Sequence, residues 1–114
     1  MTVMTGPDRR MRISSREMSS PGHSALNVRH NAAASRYEIT VDGHVAVAEY
    51  VLADGRMVMT HTFVPPELRG RGIAELLVRT VLDDARQAGR RVVPQCSYVA
   101  RFVELHPAYR DLLA

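Results

Sequence analysis

The chain has 114 residues, 46% of them apolar and 24% charged, with a formal net charge of +3. That is chain enough for one domain with a single core, and no apolar run reaches the ~20 residues of a membrane-spanning helix. The lone cysteine, Cys96, excludes an internal disulfide and, with four ligands usually needed, argues against a structural zinc site.

All 15 basic residues are Arg. Guanidinium forks suit phosphate, but their placement argues against nucleic acid. Residues 1–24 hold four Arg against Asp8 and Glu17, a net of +2, whereas residues 25–114 hold eleven Arg against ten acids, a net of +1. A nearly balanced body leaves no single-sign stripe for a phosphate backbone. Without lysine, an anion must be held by Arg or by backbone amides.

Residues 1–24 carry Ser, Arg, Met, Pro7, Pro21 and Gly22 with no usable periodicity. They read as a mobile tail, and 25–114 as the single domain. The start has arginines but no apolar stretch behind them, so it is not a secretory signal, and the composition suits a small cytoplasmic protein.

From Tyr37 the pattern sharpens. Tyr37–Val41 alternates apolar and polar, Asp42-Gly43 is a hairpin turn, His44–Leu52 is a second strand, Asp54-Gly55 a second turn and Met57–Val64 a third strand. Two-residue turns dictate register. A regular ladder puts Ile39 opposite Ala46, His61 opposite Ala48 and Glu49 opposite Thr60. One face then carries Tyr37, Ile39, Val41, Ala46, Ala48, Tyr50, Met57, Met59, His61 and Phe63. The other carries Val45, Val47, Glu49, Val51, Val58, Thr60 and Val64. Both are largely apolar, and both call for a cover.

Two helices are available. Ile73, Leu77, Val81, Ala85 and Ala88 recur at helical spacing, with Glu75, Arg79, Asp83 and Arg86 opposite and Gly89 past the end. Arg91–Pro94 reads as a short buried strand reached by a right-handed crossover, hence parallel to its neighbour. Ser97 can cap a last helix from Tyr98 to about Leu105, ended by His106-Pro107, with Tyr109–Leu113 folding back on the sheet. The expected architecture is α/β: a mostly antiparallel mixed sheet, a crossover helix on one face and the C-terminal helix on the other.

Between the third strand and the first helix lies Pro65-Pro66-Glu67-Leu68-Arg69-Gly70-Arg71-Gly72-Ile73-Ala74. Glycines let successive amides face one concavity, and the helix start adds partial positive charge. This is an anion site fit for a pyrophosphate, flanked by Arg69 and Arg71. It lacks the Lys-Ser/Thr of a P-loop, and antiparallel strands precede it rather than a βαβ unit.

Arg69-Gly70-Arg71-Gly72-Ile73-Ala74 resembles the Arg/Gln-x-x-Gly-x-Gly/Ala signature of the GNAT superfamily of acetyl-CoA-dependent N-acetyltransferases. His61-Thr62-Phe63-Val64-Pro65, Pro94-Gln95-Cys96 and His106-Pro107-Ala108-Tyr109 resemble its smallest single-domain branch, over about Asn27 to Leu113. The resemblance implies a minimal GNAT-like acyl-CoA N-acyltransferase fold. It implies that the amides of Arg69, Gly70, Arg71, Gly72, Ile73 and Ala74 bind coenzyme A pyrophosphate, and that the backbone at Phe63 and Val64 holds the pantetheine arm and acetyl carbonyl. Larger members have one or two helices after the first strand walling the acceptor side; here only Val28–Arg36 could do so, which leaves that side open.

Acetyl transfer to an amine needs a base for the ammonium, a polarised carbonyl and a proton for the leaving thiolate. His61 suits the base by its ordinary pKa. Glu49 is the other candidate, though the regular ladder puts it on the opposite face. Cys96, at the end of the parallel strand and the start of the last helix, and Tyr98 are the candidate proton donors; Cys96 is also a possible transient acetyl acceptor. His106 reads as a helix-end feature, and His23, His30 and His44 as solvated. No Gly-x-Ser-x-Gly elbow and no metal-ligand spacing occur. The expected activity is direct acetyl transfer from acetyl-CoA to an amine in a ternary complex, without metal. The alternative is a non-catalytic coenzyme A or acyl-CoA binding module with protein partners. The edge at Val28–Arg36 permits either a monomer or a homodimer.

Overall fold

The computed structural model describes residues 27–114, so the reading of residues 1–24 as a tail, and His23, lie outside it. Five strands form one sheet in chain order: β1 (Arg29–Asn31), β2 (Arg36–Val41), β3 (His44–Ala53), β4 (Arg56–Phe63) and β5 (Arg91–Pro94). The first four pair antiparallel and β5 joins β4 in parallel. Helix α1 (Ile73–Gln87) makes the crossover and α2 (Ser97–Leu105) follows β5. Short 3₁₀ turns lie at Ala32–Ala34, Pro66–Leu68 and Pro107–Leu112.

The expected hairpins are present. Asp42 and Gly43 have φ of 51° and 80°, and Asp54 and Gly55 have 53° and 75°. Positive φ at both central residues matches the twist of the flanking strands, which is why Asp-Gly turns join them. The chain's end also returns to the sheet. Leu113 bridges Val92, and the Ala114 amide donates to the Val92 carbonyl at 3.0 Å.

The register of β3 on β4 departs from the regular ladder. Ala53 pairs with Arg56 and Tyr50 with Met59, but Glu49 then pairs with His61, Ala48 with Thr62 and Val47 with Phe63. Thr60 is an extra residue on β4, a β-bulge. Beyond it every side chain changes face. His61 and Phe63 leave the face of Tyr37 and Met59 and join that of Val47 and Glu49, while Thr62 takes the inner position expected of His61.

The inner face carries the core. Tyr37, Ile39, Ala46, Ala48, Met57, Met59 and Val92 are buried against Leu77, Val78, Val81, Leu82 and Ala85 of α1, and against Val99, Phe102 and Val103 of α2. Full burial of such a side chain contributes about 1.5–3 kcal/mol, so this one layer of helices supplies most of the hydrophobic stabilisation. The last helix does not cover the opposite face, as the two apolar faces had suggested. It lies beside α1: the Arg79 guanidinium sits 5.5 Å over the Phe102 ring, and the Tyr109 hydroxyl donates to Asp83 at 2.8 Å. Its Val99–Phe102–Val103 stripe finds more apolar surface on α1 and the inner sheet than the outer strands offer. The outer face stays open among the described residues, with Val51 52% and Val45 39% exposed.

That outer face has an order of its own. Cross-strand pairing lines up Asn31, Arg36, Glu49 and His61 as a polar row. Val51, Val58 and Val93 form an apolar row on one side, with Val47 and Phe63 on the other.

Candidate active site

The site forms where β4 outruns β5. The two strands pair from Arg56–Arg91 to Met59–Pro94, and the Cys96 amide makes a last contact with the Met59 carbonyl at 2.9 Å. Thr60–Phe63 continue beyond β5 while the chain turns into α2. The diverging strands leave a cleft open toward the start of α1.

That start is bare. Gly70 and Gly72 have φ of 82° and 73°, and a Cβ on either would meet nothing within 4 Å. The glycines therefore supply backbone conformation rather than room: both hold a left-handed turn that an L side chain adopts only with strain. Among the described residues no side chain caps the helix. The Gly72 carbonyl opens it by accepting from the Leu76 amide at 3.1 Å, so the amides of the first turn have no partner within the helix. A cavity of about 240 Å³ lies over this turn, lined by Val64, Leu68, Arg69, Gly70, Gly72, Ile73, Ala74, Glu75 and Tyr98.

Most of the expected anion-site residues therefore meet at one place. Arg71 is exposed and does not line the cavity, and Phe63 points to the outer face, 43% exposed. Arg69 does more than flank the loop. Its Nε–H donates to the Val64 carbonyl at 2.9 Å, tying the loop to the end of β4 and engaging an oxygen of the backbone expected to hold pantetheine. Two lining residues, Leu68 and Glu75, escaped the sequence reading. Leu68 is 1% exposed and anchors the loop in the core. The Glu75 carboxylate accepts from Arg79 at 2.9 Å, which offsets its charge beside the expected anion site. The i,i+4 spacing signalled that pair but not its place at the cavity.

The candidate catalytic groups divide between the two sides of β4. On the outer face His61 stands opposite Glu49, and its ring lies 6.5 Å from that of Phe63 with the planes within 13°. The expectation that Glu49 lies on the other face from His61 is thus overturned by the bulge. On the helix side, the Cys96 thiol contacts the Thr62 hydroxyl at 3.7 Å. Burial pushes the Cys96 pKa up, but the Val99 amide, Thr62 and the Tyr98 amide outweigh it and hold the thiol below its usual range. Cys96 itself occupies the cap position of α2, which begins at Ser97; the expected Ser97 cap is not formed. Tyr98 is 40% exposed and faces the loop cavity, its pKa raised by partial burial and then by the Glu75 charge.

The other described histidines contact neighbouring side chains or backbone. The His106 Nδ1 lies 2.8 Å from the Phe102 carbonyl, with its ring stacked on Phe102 at 4.0 Å. His30 is exposed, as expected, and also stacks on Tyr37 and lies 2.7 Å from the Tyr50 hydroxyl. His44 Nδ1 is 3.7 Å from Glu67. Among the described residues no group of three or more His, Cys, Asp or Glu could hold a metal ion, and no helix is long and apolar enough to cross a membrane.

Known proteins share this arrangement. Residues 36–112 match the family described as GCN5-related N-acetyl-transferase. Protein NATD1 of Bos taurus is 32% identical over 85 residues, 72% of this chain and 75% of that protein. Protein NATD1 of Xenopus tropicalis is 27% identical over 88 residues, 74% and 80% of the two chains. The solution structure of a GCN5-like protein from Staphylococcus aureus superimposes with a TM-score of 0.64 at 23% identity, over 80% of this chain and 90% of that one. A sheet that splits beside an uncapped helix start, seen in this company, defines the fold of an acyltransferase. The chain belongs to the GCN5-related N-acetyltransferase family.

Proposed function

We propose that the protein transfers an acetyl group from acetyl-CoA directly to an amine, with the thioester lying in the cleft between β4 and β5. The observation that carries this reading is the division of groups across β4: His61 and Glu49 on the outer face, Cys96, Thr62 and Tyr98 on the helix side. Direct transfer uses a base where the amine arrives and a proton donor where the thiolate departs, and the two sides of β4 offer one of each.

The amides from Gly70 to Ala74 receive the pyrophosphate, and the free end of β4 receives the pantetheine arm and the carbonyl oxygen. An ammonium arriving over the open outer face loses its proton to His61, directly or through water, with Glu49 opposite on the neighbouring strand. The amine nitrogen then bonds to the carbonyl carbon, the C–S bond breaks, and the excess proton left on the nitrogen passes to water, from which the proton donor is restored. The departing thiolate takes a proton on the helix side from Tyr98 or from Cys96. Of these, Tyr98 is the better placed donor, because it lines the cavity over the loop that receives the pyrophosphate, which Cys96 does not.

A thiol-release assay with acetyl-CoA and a panel of amines tests the reading. Turnover that falls on His61→Ala and on Tyr98→Phe supports it. Coenzyme A raising the melting temperature while no amine releases thiol would leave a binding module in its place.

A further inference from the structure

A second cavity, of about 360 Å³, opens at the other end of α1 and serves no step of the proposed transfer. Asp84 on its wall lies roughly 16 Å along the helix from Ile73, at about 1.5 Å per residue. Its volume falls within the range of about 300–1,000 Å³ typical of small-molecule sites.

The walls are aromatic and already in place. His30 stacks on Tyr37 with centroids 4.1 Å apart and planes within 8°. Tyr50 tilts against both at 5.8 and 6.0 Å. Their polar ends are tied: the Tyr37 hydroxyl donates to Asp84 Oδ2 at 2.7 Å, and the Tyr50 hydroxyl lies 2.7 Å from His30 Nε2. A ligand entering here pays little to order its surroundings.

Two opposite charges line the same cavity. Asp84 engages Tyr37 through one carboxylate oxygen, and the other has no hydrogen-bond partner among the described residues. Arg90 lines the same cavity and forms no ion pair with Asp84 and no side-chain hydrogen bond among the described residues. A carboxylate and a guanidinium that are not paired with each other, in a cavity that aromatic side chains also line, suit a molecule carrying both charges. An ammonium gains from the carboxylate and from ring faces, and a carboxylate from the planar guanidinium fork.

We propose that this cavity binds a free α-amino acid, its ammonium at Asp84 and its carboxylate at Arg90, with the side chain against Met57 and Leu52. The site is independent of acetyl transfer and of coenzyme A.

The test is an NMR titration of the full chain with phenylalanine, leucine and arginine, and with 3-phenylpropionate and phenethylamine, which each keep one of the two charges. At least one amino acid should shift the His30, Tyr50 and Arg90 resonances saturably, and the matching single-charge compound should bind at least tenfold more weakly. Asp84→Asn keeps a carbonyl acceptor for Tyr37, and Arg90→Ala removes no side-chain hydrogen bond or ion pair among the described residues. Each should weaken amino-acid binding tenfold or more while coenzyme A affinity stays unchanged. No saturable shift with any of the three amino acids, or equal binding of the single-charge compounds, overturns the proposal.

Discussion

Glu49 stands opposite His61 across the β3–β4 ladder because β4 carries one more residue, Thr60, than the strand it pairs with. That single residue places a carboxylate and an imidazole on the open face at the point where the sheet divides. Replacing His61 by Ala should lower kcat by about 10²- to 10⁴-fold, the usual contribution of a positioned base. Glu49→Gln should lower kcat/KM for amines by a smaller factor. Steady-state kinetics and a coenzyme A titration check both, and coenzyme A affinity should be unchanged in each variant.

Gly72 holds φ of +73° at the start of α1. A Cβ at Gly72 meets nothing within 4 Å, so the effect of Gly72→Val comes mainly from backbone strain, about 1–2 kcal/mol for a left-handed L residue and more for a β-branched one. The turn should relax and misdirect its amides. Coenzyme A binding measured by calorimetry should be lost while the circular dichroism spectrum persists; retained affinity would contradict the pyrophosphate assignment.

The Cys96 thiol is held below its usual range, partly by Thr62. Its alkylation by iodoacetamide should therefore reach half-maximal rate at a lower pH than that of an unperturbed cysteine in a short peptide. Thr62→Val removes one contact that favours the thiolate, so the profile should move to higher pH. A profile that stays in place would show that the helix-start amides alone set the thiol's acidity.

Tyr37 is a stability switch at high pH. Its pKa is raised well above the ordinary tyrosine value, first by burial and then by its hydrogen bond to Asp84. A folded-state pKa above the unfolded one means the contribution is complete below pH ~10 and is lost as pH rises beyond it. The melting temperature should fall above pH 10, and Tyr37→Phe should flatten that fall. At neutral pH the same variant loses one hydrogen bond, about 1 kcal/mol, a shift of roughly 4–8 °C for a domain of this size.

Local chemistry wrote much of this molecule into its chain. The Asp42-Gly43 and Asp54-Gly55 turns, the apolar spacing of α1, the β5 strand and the glycine-opened loop each depend on residues close in sequence. Turn geometry and helical periodicity are satisfied within a few positions, and those elements stand where the residues indicate. The loop cavity was equally legible, because strand, two glycines and helix follow one another directly.

What only the tertiary structure decided involves partners far apart. The bulge at Thr60 leaves no mark on local alternation, since Met57–Phe63 fits either face until β3 and the core select one. The side of the sheet taken by α2 depended on apolar surface offered by α1, and the capture of His30 on rings from β2 and β3. Each choice weighs contacts between distant segments, and no short stretch of chain holds both halves of such a contact.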